Sequence, residues 1–474
     1  MSTVTTSARP VRLHVVANRL PVTWEPTQGW VRAPGGLVTA LEAYGRRRGV
    51  DWVGSSATLG EPRAVAPTWR HGPIHRVLIE PELARLAVAG LANSALWPAF
   101  HGVAGQMRWN DDWWAGYVEY NQRFADAAIT TASPGDRIWI HDYPLLLAPA
   151  MIARVRPDLA VGLSIHTPVE AETLAALPCA GELAVALAST PLVGVQTSAD
   201  RESLQTLVAS SVGTTDESSR RCFVSPVSID PDELIALVNQ RATHALVERF
   251  RSRAGRRLLV VGIDRLDYTK AILQRLDAVD QAFRRGWLQP DDVDIIQIAS
   301  PTRADVPGYR QLRLEAERRA HEVASHWLRP DGTPPLRLVP EGRDRRHVAA
   351  LLAAGDIALV TPSRDGMHLV AKEFSILNEA HGGVLVLGAG AGAAQELGDG
   401  SVLVDGNDPS SVADGLRQAA SMGVDARRAL ARRRADAVRG WTAQDWAGDF
   451  ERRLVDVADR SGGTDHVSPG CARG

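Results

Sequence analysis

Short apolar runs alternate with helix-length stretches along this chain, and the pattern is played through twice. The first pass contains RLHVVAN (Arg12–Asn18), WVGSS, RIWIHDY, VGLSIHT and LVGVQT, separated by stretches such as AGYVEYNQRFADAAI. After SPVSIDPDEL (Ser225–Leu234) it restarts with RLLVVGIDR, VDIIQIAS, LRLVP, DIALVTPSR, GGVLVLGAG and SVLVDG, with HVAALLAAG and PSSVADGLRQAASMG between them. Runs this continuous suit strands buried on both faces, as in a parallel sheet covered by helices. The alternation predicts an α/β chain of two doubly wound, Rossmann-like units. Their division is expected at 1–230 and 231–440. Helix 441–460 is expected to cross back to the first unit, and the Gly/Ser-rich tail 461–474 to be disordered.

With 474 residues there is chain enough for two such cores. Fifty-three basic against 55 acidic side chains leave a net charge of −2, so nothing electrostatic favours nucleic acid or an anionic membrane as partner. No apolar run reaches the roughly 20 residues that span a bilayer, and the first residues lack the apolar core of a signal peptide; a cytoplasmic globular protein is expected. Cys179, Cys222 and Cys471 are too scattered to indicate a disulfide framework or a zinc knuckle. The acidic pairs at Asp111 and Asp291 read as a helix start and a turn, and no metal or other cofactor is expected.

The basic residues are more telling. All but two are arginine; the lysines are Lys270, in RLDYTK, and Lys372, in LVAKE. A compact ammonium and a planar guanidinium are not interchangeable in a tight phosphate site. Lys270 is therefore a phosphate-binding candidate, while Lys372, on a predicted helix, fits a supporting role equally well. RRR (46–48) and ARRALARRRADAVR (426–439) read as solvated helix faces.

In open parallel sheets, ligands bind outside the carboxyl ends of the strands. The polar clusters of this chain fall there: Asn18-Arg19, His141-Asp142 and His166 in the first unit, Asp264-Arg265, Arg303 and Ser363-Arg364-Asp365 in the second. One stretch, TPSRDGMHLVAKEF (Thr361–Phe374), passes from a buried strand through a polar turn into a helix. That order aims free backbone N–H groups at the space above the sheet, a ready anion site. Gly366 permits close approach of the backbone, and Asp365 and Glu373 supply carboxylates suited to hydroxyls. The stretch reads as a cradle for a sugar nucleotide.

Together these clusters resemble the trehalose-6-phosphate synthase family, retaining glycosyltransferases of the two-domain GT-B fold. The matching stretches are ANR at 17–19, GGL at 35–37, NSALWPAFH at 93–101, WIHDY at 139–143, GVQT at 194–197 and RLDYTK at 265–270. PTRADV at 301–306, TPSRDGMHLVAKE at 361–373, and VLVL with AGAA within 384–394 complete an ordered set running from about residue 12 to 455. The resemblance implies that Arg265 and Lys270 hold the donor pyrophosphate, completed by backbone N–H groups of Met367, His368, Leu369 and Val370 after Gly366. It implies that Asp365 binds the transferred sugar, Glu373 the ribose, and that the Gly35-Gly36 loop closes over the donor. His166 then stands beside the transferred sugar, Asp142 orients the acceptor, Arg19 and Arg303 clamp an acceptor phosphate, and Trp97 lines the acceptor pocket. Asp142, His166, Arg265, Lys270 and Asp365 form the implied catalytic group. The implied partners are an NDP-sugar and a sugar phosphate, with the nucleobase open between UDP, GDP, ADP and dTDP. Neither nucleic acid nor membrane is among them, and a homo-oligomer is left open.

Several positions depart from the family pattern. Val88 stands where a tyrosine is expected, Ser55 replaces a tryptophan, and Glu170 brings a carboxylate to the turn after His166. Pro144, Ala271 and His368 also differ. The donor shell is nearly intact while the acceptor shell has lost aromatic groups. Two enzymatic readings follow: transfer of glucose to glucose 6-phosphate, or transfer to another sugar phosphate, amino sugar or carbocyclic analogue. A sugar-phosphate-binding regulator is the non-enzymatic alternative, and a phosphorylase of the same architecture lacks a recognisable pyridoxal-lysine context. His14 and His101 read as packed structural histidines, and His141, beside Asp142, as a packed strand-end histidine more readily than as a catalyst.

Overall fold

The computed structural model describes residues 9–25, 27–56, 69–213, 221–303 and 306–462. Its first unit contributes β1 (Leu13–Arg19), an antiparallel hairpin of β2 (Val22–Glu25) and β3 (Gly29–Arg32), β4 (Asp51–Ser55), β5 (Ile74–Val77), β6 (Arg137–His141), β7 (Ala160–Ser164), β8 (Val193–Val195) and β9 (Cys222–Val224). The second contributes β10 (Leu258–Arg265), β11 (Val293–Ser300), β12 (Leu336–Val339), β13 (Ile357–Val360), β14 (Val384–Gly388) and β15 (Val402–Val404). Seven strands form one sheet in the order β5-β4-β1-β6-β7-β8-β9 and six another in the order β12-β11-β10-β13-β14-β15. Every pairing within these two sheets is parallel.

The apolar runs become central strands because both faces are covered. Ile138, Trp139 and Ile140 of β6, and Leu359 and Val360 of β13, are almost fully buried. In each sheet the strand order reverses once, between β1 and β6 in the first and between β10 and β13 in the second. Such switch points open a crevice at the carboxyl ends of the strands. Arg19, His141, Arg265 and Thr361 therefore stand at two crevice mouths.

The final helix, Ala443–Gly462, packs on β7 and on the helix Gly36–Arg48. Phe450 stacks on Trp139 at 4.4 Å between ring centres, and Trp446 lies 4.8 Å from the same indole. Glycine makes this possible: a Cβ at Gly162 would come within 2.8 Å of the Phe450 ring. The tail expected to be disordered lies outside the described residues, except that 461–462 close this helix. Among the described residues no helix is long and apolar enough to cross a membrane.

The acidic pairs behave as local chemistry dictates. Asn110 caps the helix Asp111–Thr131 by accepting the Asp112 N–H at 2.8 Å, and Asp291 sits in the turn Pro290–Asp292. The basic helix Val424–Gly440 departs from the solvated face expected of it. Arg434 is 1% exposed and donates to the carbonyls of Gly400 and Gly383, tying two loops beneath the sheet. Cys179 and Cys222 are free and buried.

Candidate active site

β10 is apolar until its last residues, the buried Asp264 and the exposed Arg265. Asp267 then caps the short turn Tyr268–Lys270, accepting the Thr269 N–H at 3.1 Å. Ala271 takes a left-handed conformation, φ 52°, and starts the helix Ile272–Arg284. This bend turns the Lys270 ammonium onto the Asp365 carboxylate, and the two side chains are only 9% and 14% exposed. Burial alone would raise the Asp365 pKa, but the Lys270 ammonium, with His368 adding to it, holds the carboxyl well below the ordinary range. Asp365 is thus a permanent acceptor beside the Lys270 side chain.

The turn carrying Asp365 is pinned to the loop after β14: its N–H donates to Gly390 O at 3.0 Å and its carbonyl accepts the Gly392 N–H at 2.9 Å. His368, at φ 75°, precedes the helix Leu369–Leu377, and its Nε2 donates to Asp264 at 2.7 Å. The first N–H groups of that helix have no intrahelical acceptor, and its N-cap, His368, lies three residues after Asp365. One turn further in, Glu373 is half-buried. Burial pushes its carboxyl up to about 7 against the opposing pull of Arg345 and Arg32.

The two units meet at this turn. A Cβ on Gly366 would fall 1.9 Å from the carbonyl oxygen of His166, and one on Gly36 would fall 2.5 Å from the Leu369 side chain. Across from Gly366, Asp142 adopts φ 73° and accepts the His166 backbone N–H at 3.0 Å. Glu170 is paired with Arg364 of the turn before Asp365, whose guanidinium also donates to Val169 O at 3.1 Å.

Arg303 forms a second junction. At φ 48° its side chain reaches over the Trp97 indole at 3.8 Å, pairs with Asp267, and donates to Asn93 at 3.0 Å and to the Tyr143 hydroxyl at 3.2 Å. The Arg265 guanidinium lies 5.7 Å from the same indole. Asp267, Asn93 and Tyr143 hold Arg303 in place and were not singled out as site residues in the sequence, although they lie inside the matching stretches RLDYTK, NSALWPAFH and WIHDY. Among the described residues, the four non-glycine positions of left-handed backbone are Asp142, Ala271, Arg303 and His368, all at this cleft. Strain of this kind persists where surrounding structure over-determines it.

The structure thus brings together Asp142, His166, Trp97, Arg265, Arg303, Lys270, Asp365, Gly366 and His368, with Met367, Leu369, Val370 and Glu373 on the adjoining helix start and Gly36 against it. Arg19 is exposed at the end of β1, while its expected companion Arg303 is paired with Asp267. Lys372 has a supporting role: fully buried, it donates to both Glu396 oxygens at 2.8 and 2.9 Å and to Val227 O at 3.0 Å. Val88 is half-buried in apolar packing, and the Ser55 hydroxyl is committed to Asn18 O at 2.6 Å.

Comparison with known proteins accounts for this layout. The family model for glycosyltransferase family 20 matches residues 11–456. The chain is 33% identical over 481 aligned positions, covering 95% of each sequence, to the trehalose-6-phosphate synthase of Mycobacterium tuberculosis. Its fold superposes with a TM-score of 0.85 on the α,α-trehalose-phosphate synthase (UDP-forming) of Burkholderia xenovorans in complex with glucose 6-phosphate, at 28% identity, covering 94% of this chain and 100% of that one. An E. coli structure bound with UDP-2-fluoro glucose superposes with a TM-score of 0.83 at 26% identity, covering 94% and 98%. With two facing parallel sheets and a family match along nearly its whole length, the chain is a glycosyltransferase of GT-B fold and belongs to glycosyltransferase family 20.

Proposed function

We propose that this enzyme transfers glucose, with retention, from UDP-glucose to glucose 6-phosphate and so makes trehalose 6-phosphate. The observation that carries the reading is the buried Lys270–Asp365 pair at a helix start, with Arg265 beside it and His166 facing it across the cleft. Charge builds on the diphosphate as the glycosidic bond breaks, and fixed cations with free backbone N–H groups stabilise it there. Lys270, Arg265 and the N–H groups of Met367 to Val370 hold the diphosphate in this reading, while Asp365 accepts from the sugar hydroxyls. The departing phosphate oxygen takes the proton of the acceptor hydroxyl, so no carboxylate nucleophile is needed, and placement of the two substrates supplies much of the rate. The diphosphate is neutralised by side chains and backbone, and the reaction is assigned no metal or cofactor. Trp97, Arg303 and Asp142 line the acceptor side, with Arg19 reaching the phosphate from β1. UDP is preferred over GDP, ADP and dTDP because the Burkholderia relative is described as UDP-forming and the E. coli one holds a UDP sugar. A cytoplasmic setting accords with two buried free thiols and phosphorylated substrates.

A second reading, a changed acceptor, is favoured by Val88 and Ser55, which are turned to packing and to a backbone carbonyl. One assay separates them: the purified protein is incubated with each NDP-glucose and a panel of phosphorylated, amino and carbocyclic acceptors, with nucleotide release and product mass as readouts. A disaccharide phosphate from UDP-glucose and glucose 6-phosphate is expected. No product with glucose 6-phosphate under any donor, alongside turnover of another acceptor, would establish the second reading instead.

A further inference from the structure

His141, the last residue of β6, is 1% exposed, and its Nδ1 lies 3.1 Å from Nε2 of His166. The two ring planes are 10° apart, so the imidazoles meet edge to edge in nearly one plane. Burial pushes both pKa values below the ordinary histidine range, with His166 adding to the effect at His141 and Asp142 opposing it at His166. Both rings are therefore neutral at pH 7 and carry one proton each. Only one proton fits between the facing nitrogens, which leaves two arrangements.

If His166 donates from Nε2, then His141 must carry its own proton on Nε2. That nitrogen is buried and without a partner among the described residues, so the arrangement orphans an N–H group. The neighbouring indole N–H of Trp446 is also buried without a partner among the described residues, and its ring centre is 6.2 Å from that of His141. Two unsatisfied donors would then share one apolar wall. If His141 donates from Nδ1, its Nε2 is a buried lone pair, and a buried unused acceptor is tolerated more often than a buried unused N–H. The His166 proton then sits on Nδ1, which has no hydrogen-bond partner among the described residues and is the ring nitrogen left for a ligand.

We propose that His141 is a positioning residue: it donates Nδ1–H to His166 Nε2 and so fixes His166 as the Nδ1–H tautomer, presenting a hydrogen-bond donor to a hydroxyl oxygen of the transferred sugar. The contact to sugar rests on the glycosyl-transfer reading; the tautomer does not. The test is a long-range proton–nitrogen correlation spectrum of the full-length protein labelled with 15N-histidine, without substrate, the His166 signals being assigned by their loss in His166→Asn. The expected pattern is a protonated Nδ1 and a bare Nε2 on His166. In His141→Asn, whose amide N–H can take the place of Nδ1–H, the pattern should persist and kcat stay within about threefold, whereas His141→Leu should lose the pattern and at least about tenfold in kcat. A protonated Nε2 on His166 in the unmodified protein overturns the proposal, as does a His141→Leu protein that keeps both the Nδ1–H pattern and full activity. The spectrum of the unmodified protein decides even where a variant does not fold. A correct tautomer in a protein that transfers no glucose would overturn the functional reading alone.

Discussion

Lys270 is the ammonium whose loss has two separable consequences. Removing it takes a cation from the developing diphosphate charge, and removal of one such stabilising group costs about 10²–10³ in kcat. It also leaves Asp365 as a nearly buried carboxylate without its partner, so Lys270→Ala should lower Tm as well. Lys270→Arg separates the two: the charge is kept and Tm recovers, but the planar fork does not fit the pocket of an ammonium, and kcat stays low. Steady-state rates and thermal melts of both variants check this. Glu373 gives a pH prediction. Its carboxyl titrates near 7 in the free protein because burial outweighs Arg345 and Arg32. A raised carboxyl pKa means the folded state is penalised as pH rises from the ordinary carboxylate range through about 7, and the penalty is complete above it. Protonated Glu373 is also a poorer double acceptor for ribose hydroxyls. KM for UDP-glucose should therefore rise as pH falls below about 7, and Glu373→Gln should flatten that profile while gaining stability relative to the parent as pH is raised. A parent profile already flat between pH 6 and 8 would contradict it.

The strand–turn–helix element at Ile357–Leu377 was the most legible part of the sequence, because a buried apolar run, a glycine and helical spacing occur in immediate succession. The polar ends of β1, β6 and β10 were legible for the same reason: uninterrupted apolar residues leave little doubt where a parallel strand stops. The Arg303 cage was not legible as a cage, since Asn93 and Tyr143, hydrogen-bonded at 2.9 Å within the first unit, meet Asp267 and Arg303 of the second only when the units face each other. Nor was the twelve-residue π-helix Arg85–Leu96, which carries Asn93 and has no distinguishing periodicity. Arg434 was misjudged because a buried guanidinium depends on backbone carbonyls supplied by remote loops. Gly366 tests the element itself. The atoms nearest its absent Cβ all belong to His166 and Thr167, in the opposite unit. Gly366→Ala should thus leave each unit folded, with an unchanged far-ultraviolet spectrum and a Tm within a few degrees, yet lower kcat/KM by at least about 10², the scale on which a misplacement of 1 Å acts. Unimpaired turnover would mean that the two loops do not meet this closely during catalysis.

Across the whole molecule, the cleft is held at its rim by charge. Glu170 and Arg364 belong to opposite units, and with 30% and 34% of their side chains exposed they form a pair that solvent screens but does not swamp. Exposed pairs of this kind contribute about 0.2–1 kcal/mol. That is too little to decide folding, yet enough to bias a closing motion up to about fivefold in equilibrium. Glu170→Gln keeps the shape and removes the charge. Tm should move little, and KM for UDP-glucose should rise between about 1.5-fold and fivefold if closure over the donor is what the pair favours. Salt supplies the control, because the Debye length falls from about 10 Å at 0.1 M to about 3 Å at 1 M. High salt will also weaken binding of the anionic donor, to Arg265 and Lys270 in the proposed reading, but it does so in both proteins. The quantity to follow is the ratio of the two KM values, which should approach one as salt is raised. A ratio that stays constant from 0.1 to 1 M would place the origin of the effect in packing around Gly102, whose absent Cβ would lie 3.5 Å from Glu170 and 3.6 Å from Arg364, and not in the ion pair.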